Sequence, residues 1–399
     1  MTIELSERLR RLPAYPLAEI PTIKRRLIAE GVDVIDLGAG DSDLPPPGPV
    51  VAELKAALDD PAMSKYGFQQ GYAEYRRAAS DYVQRRFGHR FDPVAEILPL
   101  IGSKEGLAHL PFALVNPGEV VVLPEPGYQA YIGGAILSGA TPFVYPLAAD
   151  NGFLLDLERI PADLLERTAL VYLNYPNNPT AAVAPIGYLE RTVAICREHG
   201  IVLAYDNAYC DLTFGDYRAP SIFDVAGARE IAVEFFSLSK SFSMTGWRLG
   251  FAAGSAALIG ALTKIKSYTD TGPFLALQRA GVVALDRAEE FAAPIRAALV
   301  ERRDAGVAAL RAAGFTVEVP QAAMYLWIAL PRGVDSSAFA RRALEEYGVV
   351  VLPGRGFGPA GEGYFRIALT VGPERLAAAV GRLGQALATF EAGSARATA

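Results

Sequence analysis

Short runs of apolar, often β-branched residues recur through the first two thirds of the chain, and they are nearly continuous rather than alternating with polar positions. The clearest are Glu119 to Leu123, Thr141 to Tyr145, Ala169 to Leu173, Ile201 to Tyr205 and Ile231 to Phe236. A strand with one wetted face alternates, so unbroken runs predict strands covered on both faces. Between them lie stretches with helical spacing, Lys104 to Val115 and Pro185 to His199, the second followed by Gly200 as a C-terminal stop. This alternation predicts a large doubly wound α/β domain with a mostly parallel central sheet. The rhythm then changes. Ala288 to Ala313 is amphipathic over a length that calls for one extended helix ending at Gly314. After it come short strands at Phe315 to Val319, Met324 to Leu330, Val349 to Leu352 and Tyr364 to Leu369, with helices at Ser336 to Tyr347 and from Pro373 onward. These predict a smaller α+β domain. The expected division is 48–287 for the large domain, with 1–47 and 288–399 together forming the small one and Pro45-Pro46-Pro47 marking the first boundary. The small, polar tail from Ala392 to Ala399 is expected to fray.

Composition narrows the chemistry. The 399 residues leave room for two or three domains, and 51% hydrophobic against 21% charged residues excludes disorder. A net charge of −6 offers no general attraction for nucleic acid or anionic lipid, so neither is an expected partner. One uncharged window, Pro126 to Ala149, is long enough to span a bilayer. Gly133, Gly134, Gly139, Pro142 and Pro146 interrupt it, and it reads instead as a buried helix followed by a buried strand. The start, Met1-Thr2-Ile3-Glu4, leads into no apolar leader, so a cytoplasmic location is expected. The three His (His89, His109, His199) and two Cys (Cys196, Cys210) show no ligand spacing, which leaves no metal site and no thiol motif. Difficult chemistry in this chain has to use a borrowed reactive group.

Four segments are candidates for holding it. Ile97 to Leu100 enters the turn Ile101-Gly102-Ser103-Lys104, which opens a helix. Such a turn points N–H groups and the positive end of the helix dipole outward, making an anion site, or it is simply a helix capped by Ser103. It is neither a P-loop nor a dinucleotide fingerprint. Next, Ser237-Leu238-Ser239-Lys240 follows an apolar strand and leads to Met244-Thr245-Gly246-Trp247-Arg248. A lysine among aromatics loses hydration, which makes its neutral amine available as nucleophile or base. Arg248 with the hydroxyls of Ser237 and Ser239 suits a phosphate clamp. The alternative is a surface lysine in a Ser-rich turn. Third, Asp206 stands at the carboxyl end of a buried strand, where it either caps a helix or holds a proton on a ring nitrogen. Fourth, Asn174-Tyr175-Pro176-Asn177-Asn178-Pro179-Thr180 is a polar loop after a strand, suited to fixed hydrogen bonding or to a plain Asn-Pro turn.

In this order and spacing the four segments, with Arg366 near the C-terminus, resemble the class I/II aminotransferases, fold type I enzymes that use pyridoxal 5′-phosphate (PLP). The likeness spans nearly the whole chain. Tyr66-Gly67-Phe68-Gln69-Gln70-Gly71, Ile101 to Leu110, Pro126-Gly127-Tyr128 and Ser243 to Arg248 look most like the LL-diaminopimelate branch and its relatives. The resemblance implies that Lys240 forms the Schiff base with PLP and then moves the proton at the substrate α-carbon. It implies that Asp206 pairs with the pyridine nitrogen, Tyr209 and Asn178 with the ring 3′-oxygen, and that Tyr128 stacks on the ring. Ser103, Lys104, Ser237 and Arg248 would hold the phosphate, and Tyr66 would reach the phosphate of a neighbouring subunit, so a homodimer is expected. Arg366 would bind the substrate α-carboxylate with its planar fork, Gly40 would let the backbone approach the same group, and Asn178 would face substrate as well.

Two departures stand out. Ala181 follows Thr180 where the family commonly has glycine, so the loop conformation is expected not to depend on glycine there. In the N-terminal Leu12-Pro13-Ala14-Tyr15-Pro16-Leu17, Leu17 replaces a common aromatic, which leaves Tyr15 as the candidate on the substrate side. The implied activity is amino transfer between an L-amino acid and a 2-oxo acid by a ping-pong mechanism, with LL-diaminopimelate and 2-oxoglutarate as one pair. Aspartate, alanine or another donor is the alternative, as are a PLP-dependent β-lyase and, most remotely, a non-catalytic relative. Retention of Lys240 counts against the last, and the missing glycine fingerprint counts against a nicotinamide-linked dehydrogenase.

Overall fold

The computed structural model describes residues 3–13 and 19–397, with side chains through residue 390. Tyr15 lies outside the described residues. The apolar runs form a seven-stranded sheet in the spatial order Ile97–Leu100, Gly250–Gly254, Ala232–Ser237, Val202–Asp206, Thr168–Asn174, Val120–Glu125, Thr141–Pro146. Neighbours from Ala232–Ser237 to Thr141–Pro146 pair in parallel, while Gly250–Gly254 runs antiparallel to both of its neighbours. Successive side chains of a strand point to opposite faces, and the core divides accordingly. Val120, Val122, Val171 and Leu173 pack with Leu189 and Val193 on one face, and Val121, Leu123, Leu170 and Tyr172 with Leu107 and Ile259 on the other. Both faces are covered, which is why these strands read as unbroken apolar runs.

Helices Ser103–Leu114, Gln129–Ser138 and Ile186–Glu198 match the helical stretches of the sequence. The strand Thr141–Pro146 departs from expectation: it is the edge of the sheet and mostly half-buried or exposed rather than buried. Gly250–Gly254 is a strand that the sequence does not announce, because Gly-Phe-Ala-Ala-Gly lacks β-branched residues and is strand only by being sandwiched between two others. No helix among the described residues is long and apolar enough to cross a membrane.

A second sheet, antiparallel and four-stranded, follows the order Leu352–Pro353, Tyr364–Ala368, Tyr325–Ala329, Thr316–Val317. The helices Ala288–Ala312, Ser336–Glu345 and Pro373–Ala397 cover it, the last continuing through a tail expected to fray. The N-terminal segment joins this core: Ile35–Asp36 pairs in parallel with Val349–Val350, and Ala368 donates its N–H to the Leu37 carbonyl at 2.7 Å. That pairing carries residues 38–41 to the carboxyl ends of the large parallel strands.

Candidate active site

Asn174, Asp206 and Ser237 are the last residues of three adjacent parallel strands, and Asn174 stands in register with Asp206. Ligand contacts in open α/β sheets gather at such strand ends. Here they open into a cavity of about 600 Å³ between the two sheets. Gly40, Ser103, Lys104, Tyr128, Asn178, Asp206, Tyr209, Ser237, Ser239, Lys240, Arg248 and Arg366 all line it, so the structure brings these candidates together from distant parts of the chain. Tyr66 does not line it. It is 75% exposed and stacks on Phe68, with ring centroids 6.0 Å apart.

The reading of Ser103 as a helix cap fails: the N-cap of Ser103–Leu114 is Gly102, and no side chain caps that end. Gly102 has φ +70°, and a Cβ there would stand 2.4 Å from an Arg248 guanidinium nitrogen. Only glycine lets Arg248 lie against the turn. Arg248 itself holds a left-handed backbone at φ +57°, a conformation unfavourable for a branched-off side chain, and donates to the Thr245 carbonyl at 2.9 Å. The Ser237 hydroxyl accepts the Ser239 N–H at 3.2 Å, and Lys104 Nζ lies 5.7 Å from the Tyr128 ring centroid. Together they form a positively charged, N–H-lined cradle.

Lys240 follows directly and donates to the Gly40 carbonyl at 2.6 Å. Gly40 therefore serves a close approach, but its neighbour is a tyrosine: a Cβ there would stand 2.7 Å from the Tyr325 hydroxyl. Across the cavity, Asp206 accepts the Tyr131 hydroxyl at 2.7 Å through Oδ2, while its Oδ1 is buried with no hydrogen-bond partner among the described residues. Burial pushes the Asp206 carboxyl up to about 6. The Tyr131 bond pulls the other way, as does the nearby Ala208 N–H, though no hydrogen bond of good geometry joins that group to Oδ1.

Arg366, on the strand Tyr364–Ala368, is buried and donates to Asn178 Oδ1 at 2.7 Å and to the Gly38 carbonyl at 2.7 Å. Its guanidinium carbon lies 4.1 Å from the Tyr325 ring centroid and 4.9 Å from that of Phe357. Asn178 is held in turn by its N–H on Asn174 Oδ1 at 2.8 Å, and Asn174 also donates to the Asp206 carbonyl at 2.8 Å. Ala181 keeps a glycine-type backbone without glycine. It takes the left-handed conformation, φ +58°, that glycine would favour, held by its N–H on the Asn177 carbonyl at 2.9 Å.

Sequence reasoning missed Tyr131 and Tyr325. Tyr131 sits three residues after Tyr128, one helical turn on, so position alone offered a signal for it. Tyr325 gave none. It faces the site because its strand pairs with that of Arg366, and its hydroxyl lies 3.0 Å from that of Tyr209. Burial raises Tyr209, and the neighbouring Tyr325 adds to that. In Tyr325 burial is outweighed by the charges of Lys240 and Arg366, so its hydroxyl is lowered where that of Tyr209 is raised.

The comparisons with known proteins agree with this geometry. The model of the aminotransferase class I and II family matches residues 32–383. An LL-diaminopimelate aminotransferase of Aquifex aeolicus is 45% identical over 95% of this chain and 98% of its own length. Among solved structures, substrate-bound BacF from Bacillus subtilis superposes with a TM-score of 0.92 at 33% identity, covering 97% of this chain and 98% of that one. A probable N-succinyldiaminopimelate aminotransferase of Thermus thermophilus gives 0.87 at 39% identity, covering 93% and 100%. Fold, strand-end cavity and whole-length similarity lead to one assignment: the chain belongs to the class I and II aminotransferases.

Proposed function

We propose that the chain is a PLP-dependent aminotransferase whose amino donor is LL-diaminopimelate and whose acceptor is 2-oxoglutarate. The observation that carries the cofactor is the convergence on one cavity of an amine, an unpartnered buried carboxylate oxygen and an anion cradle: Lys240, Asp206 Oδ1 and the 102–104 turn with Arg248. When bound, PLP supplies an electron sink for the carbanion at the substrate α-carbon. The chain's own residues do the rest. Asp206 Oδ1 accepts a hydrogen bond from a protonated ring nitrogen, which also relieves its buried charge. Ser103, Lys104, Ser237, Ser239 and Arg248 hold the phosphate, and Tyr128 covers the ring. Tyr209 and the Asn178 amide would hydrogen-bond the ring oxygen. Arg366 grips the substrate α-carboxylate, and Lys240 moves the proton at the α-carbon.

The donor rests on the relatives' names. A second reading has an observation behind it: Ile20, Pro21, Val350, Leu352 and Phe357 line the cavity, and Val350, Leu352 and Phe357 surround the Gly38–Arg366 end. Such a wall suits an amino acid with an apolar side chain. The exposed Tyr66 belongs, in this proposal, to the cavity of a second copy, so the working unit is a homodimer, located in the cytoplasm. Domains are 48–287 and 1–47 with 288–399.

The test is a single-turnover screen. Purified protein loaded with PLP is mixed separately with LL-diaminopimelate, glutamate, aspartate, alanine and aromatic donors, and the visible absorbance is followed before a 2-oxo acid is added. Loss of colour with a donor and its return with the oxo acid are expected, fastest for LL-diaminopimelate. Lys240→Ala should leave no borohydride-reducible link to the cofactor. Protein that stays colourless after incubation with PLP would sink the enzyme reading, and a faster response to aromatic donors would select the second substrate class.

A further inference from the structure

Beneath the anion turn lies a charge cluster that none of these roles uses. Lys266, on the helix Ala256–Thr269, is wholly buried, and its Nζ lies 2.7 Å from Glu105 Oε2 and 2.7 Å from Asp270 Oδ1. The same Glu105 oxygen accepts the Ile101 N–H at 2.9 Å, and Oε1 meets His109 Nδ1 at 3.2 Å. Asp270 Oδ1 also accepts the Gly272 N–H at 2.6 Å. Glu105, His109 and Asp270 stand close enough together to hold a metal ion. The Lys266 ammonium already bridges the two carboxylates, so the chain supplies its own cation.

Glu105 is the third residue of the helix whose N-terminus faces the cavity. A carboxylate there is favoured by the helix dipole and usually folds back onto the N-cap N–H. Here it reaches one residue further, to Ile101, and so fixes the backbone of the whole 101–105 turn. The same carboxylate puts a negative charge just behind N–H groups that are offered to an anion. Burial raises the Glu105 carboxyl, but His109, Lys266 and the Ile101 N–H outweigh it and hold it below the ordinary range, so the charge is present at neutral pH. Uncompensated, it would repel a phosphate. A wholly buried ammonium is costly, and an apolar residue would be the cheaper filling unless the charge is needed.

We propose that Glu105 and Lys266 are positioning residues for the anion turn: Glu105 fixes the 101–105 backbone, and Lys266 cancels its charge so that the helix end still attracts a phosphomonoester. The inference rests on the proposed cofactor site in one respect, that this turn takes the phosphate.

The test titrates full-length apoprotein with inorganic phosphate and with PLP by calorimetry, beside thermal unfolding of each variant. Lys266→Met should weaken both ligands by about tenfold or more, as loss of the one positive charge that two carboxylates share behind a helix end implies. The triple variant Lys266→Met/Glu105→Gln/Asp270→Asn, uncharged and of the same shape, should recover most of that loss. Should Lys266→Met not fold, Glu105 decides: Glu105→Gln keeps an acceptor for Ile101 and should bind at least as tightly as wild type, while Glu105→Ala should lose about tenfold. A purely structural role would lower the unfolding temperature and leave affinity alone. Folded Lys266→Met or Glu105→Ala with wild-type affinity for both ligands would overturn the proposal, whereas wild-type protein that binds neither would sink the cofactor reading itself.

Discussion

Replacing Asp206 by asparagine should make the apoprotein more stable and the cofactor-binding protein worse. Burial raises the Asp206 carboxyl from 3.8 to about 6, and its Oδ1 has no hydrogen-bond partner among the described residues to make up the lost hydration. At about 1.4 kcal/mol per tenfold, ionising it is roughly 3 kcal/mol harder in the folded chain than in the unfolded one. The sign follows from linkage. Because the folded value lies above the free value, the stability carried by the protonated form is full below about pH 4 and is lost as pH rises through about 6. Asparagine has no such loss. It accepts the Tyr131 hydroxyl with its carbonyl, as Asp206 does now at 2.7 Å, and turns its amide toward the cavity. Urea unfolding of apoprotein from pH 4 to 8 should therefore show the two proteins matched near pH 4, with Asp206→Asn ahead by up to about 3 kcal/mol at pH 7. Adding PLP should reverse the order, since a cationic ring nitrogen stabilises only the carboxylate. The reasoning fails if the difference between the two curves is flat across this range, or if PLP stabilises both proteins equally.

Three further changes probe the site and the structure around it. Arg366→Lys removes a fork that makes two charge-assisted bonds, to Asn178 and Gly38, so KM for α-carboxylate donors should rise about tenfold to several hundredfold while PLP affinity holds; equal loss of both, measured by steady-state kinetics and cofactor titration, would remove Arg366 from the substrate side. Ala181→Gly should cost less in chemical denaturation than Ala181→Val, because φ is +58° there and a β-branched side chain cannot adopt it cheaply; the opposite order would mean extended backbone. Glu234 is wholly buried against Ser221 and Asn207, and burial pushes its carboxyl up to about 8. Its protonated form contributes stability that fades as pH rises from about 4.5 to 8, so Glu234→Gln should match wild type near pH 4.5 and exceed it by several kcal/mol at pH 8 in urea unfolding, an advantage whose absence would refute the buried-acid account.

Much of this protein was determined by its sequence alone, because local spacing fixes local structure. Unbroken apolar runs marked most of the sheet, and three of them ended at polar residues in the cavity wall: Asn174 after one, Asp206 after another, Ser237 and Lys240 after a third. A residue closing a parallel strand has its place set by the strand, so its position at the cavity is legible without knowing its neighbours. Other features depended on which elements meet. Gly250–Gly254 has no β-branched residue to mark it as a strand, and Ala181 is held left-handed by a hydrogen bond that its residue type does not suggest. Tyr325 reaches Tyr209 and the Arg366 guanidinium from a neighbouring strand of the second sheet, and Lys266 meets Glu105 across 161 positions of chain. Spacing along the chain carries no information about such pairs. Only the tertiary structure decided them, since side chains distant in sequence share a charge or a hydroxyl proton only where packing has brought them within bonding distance.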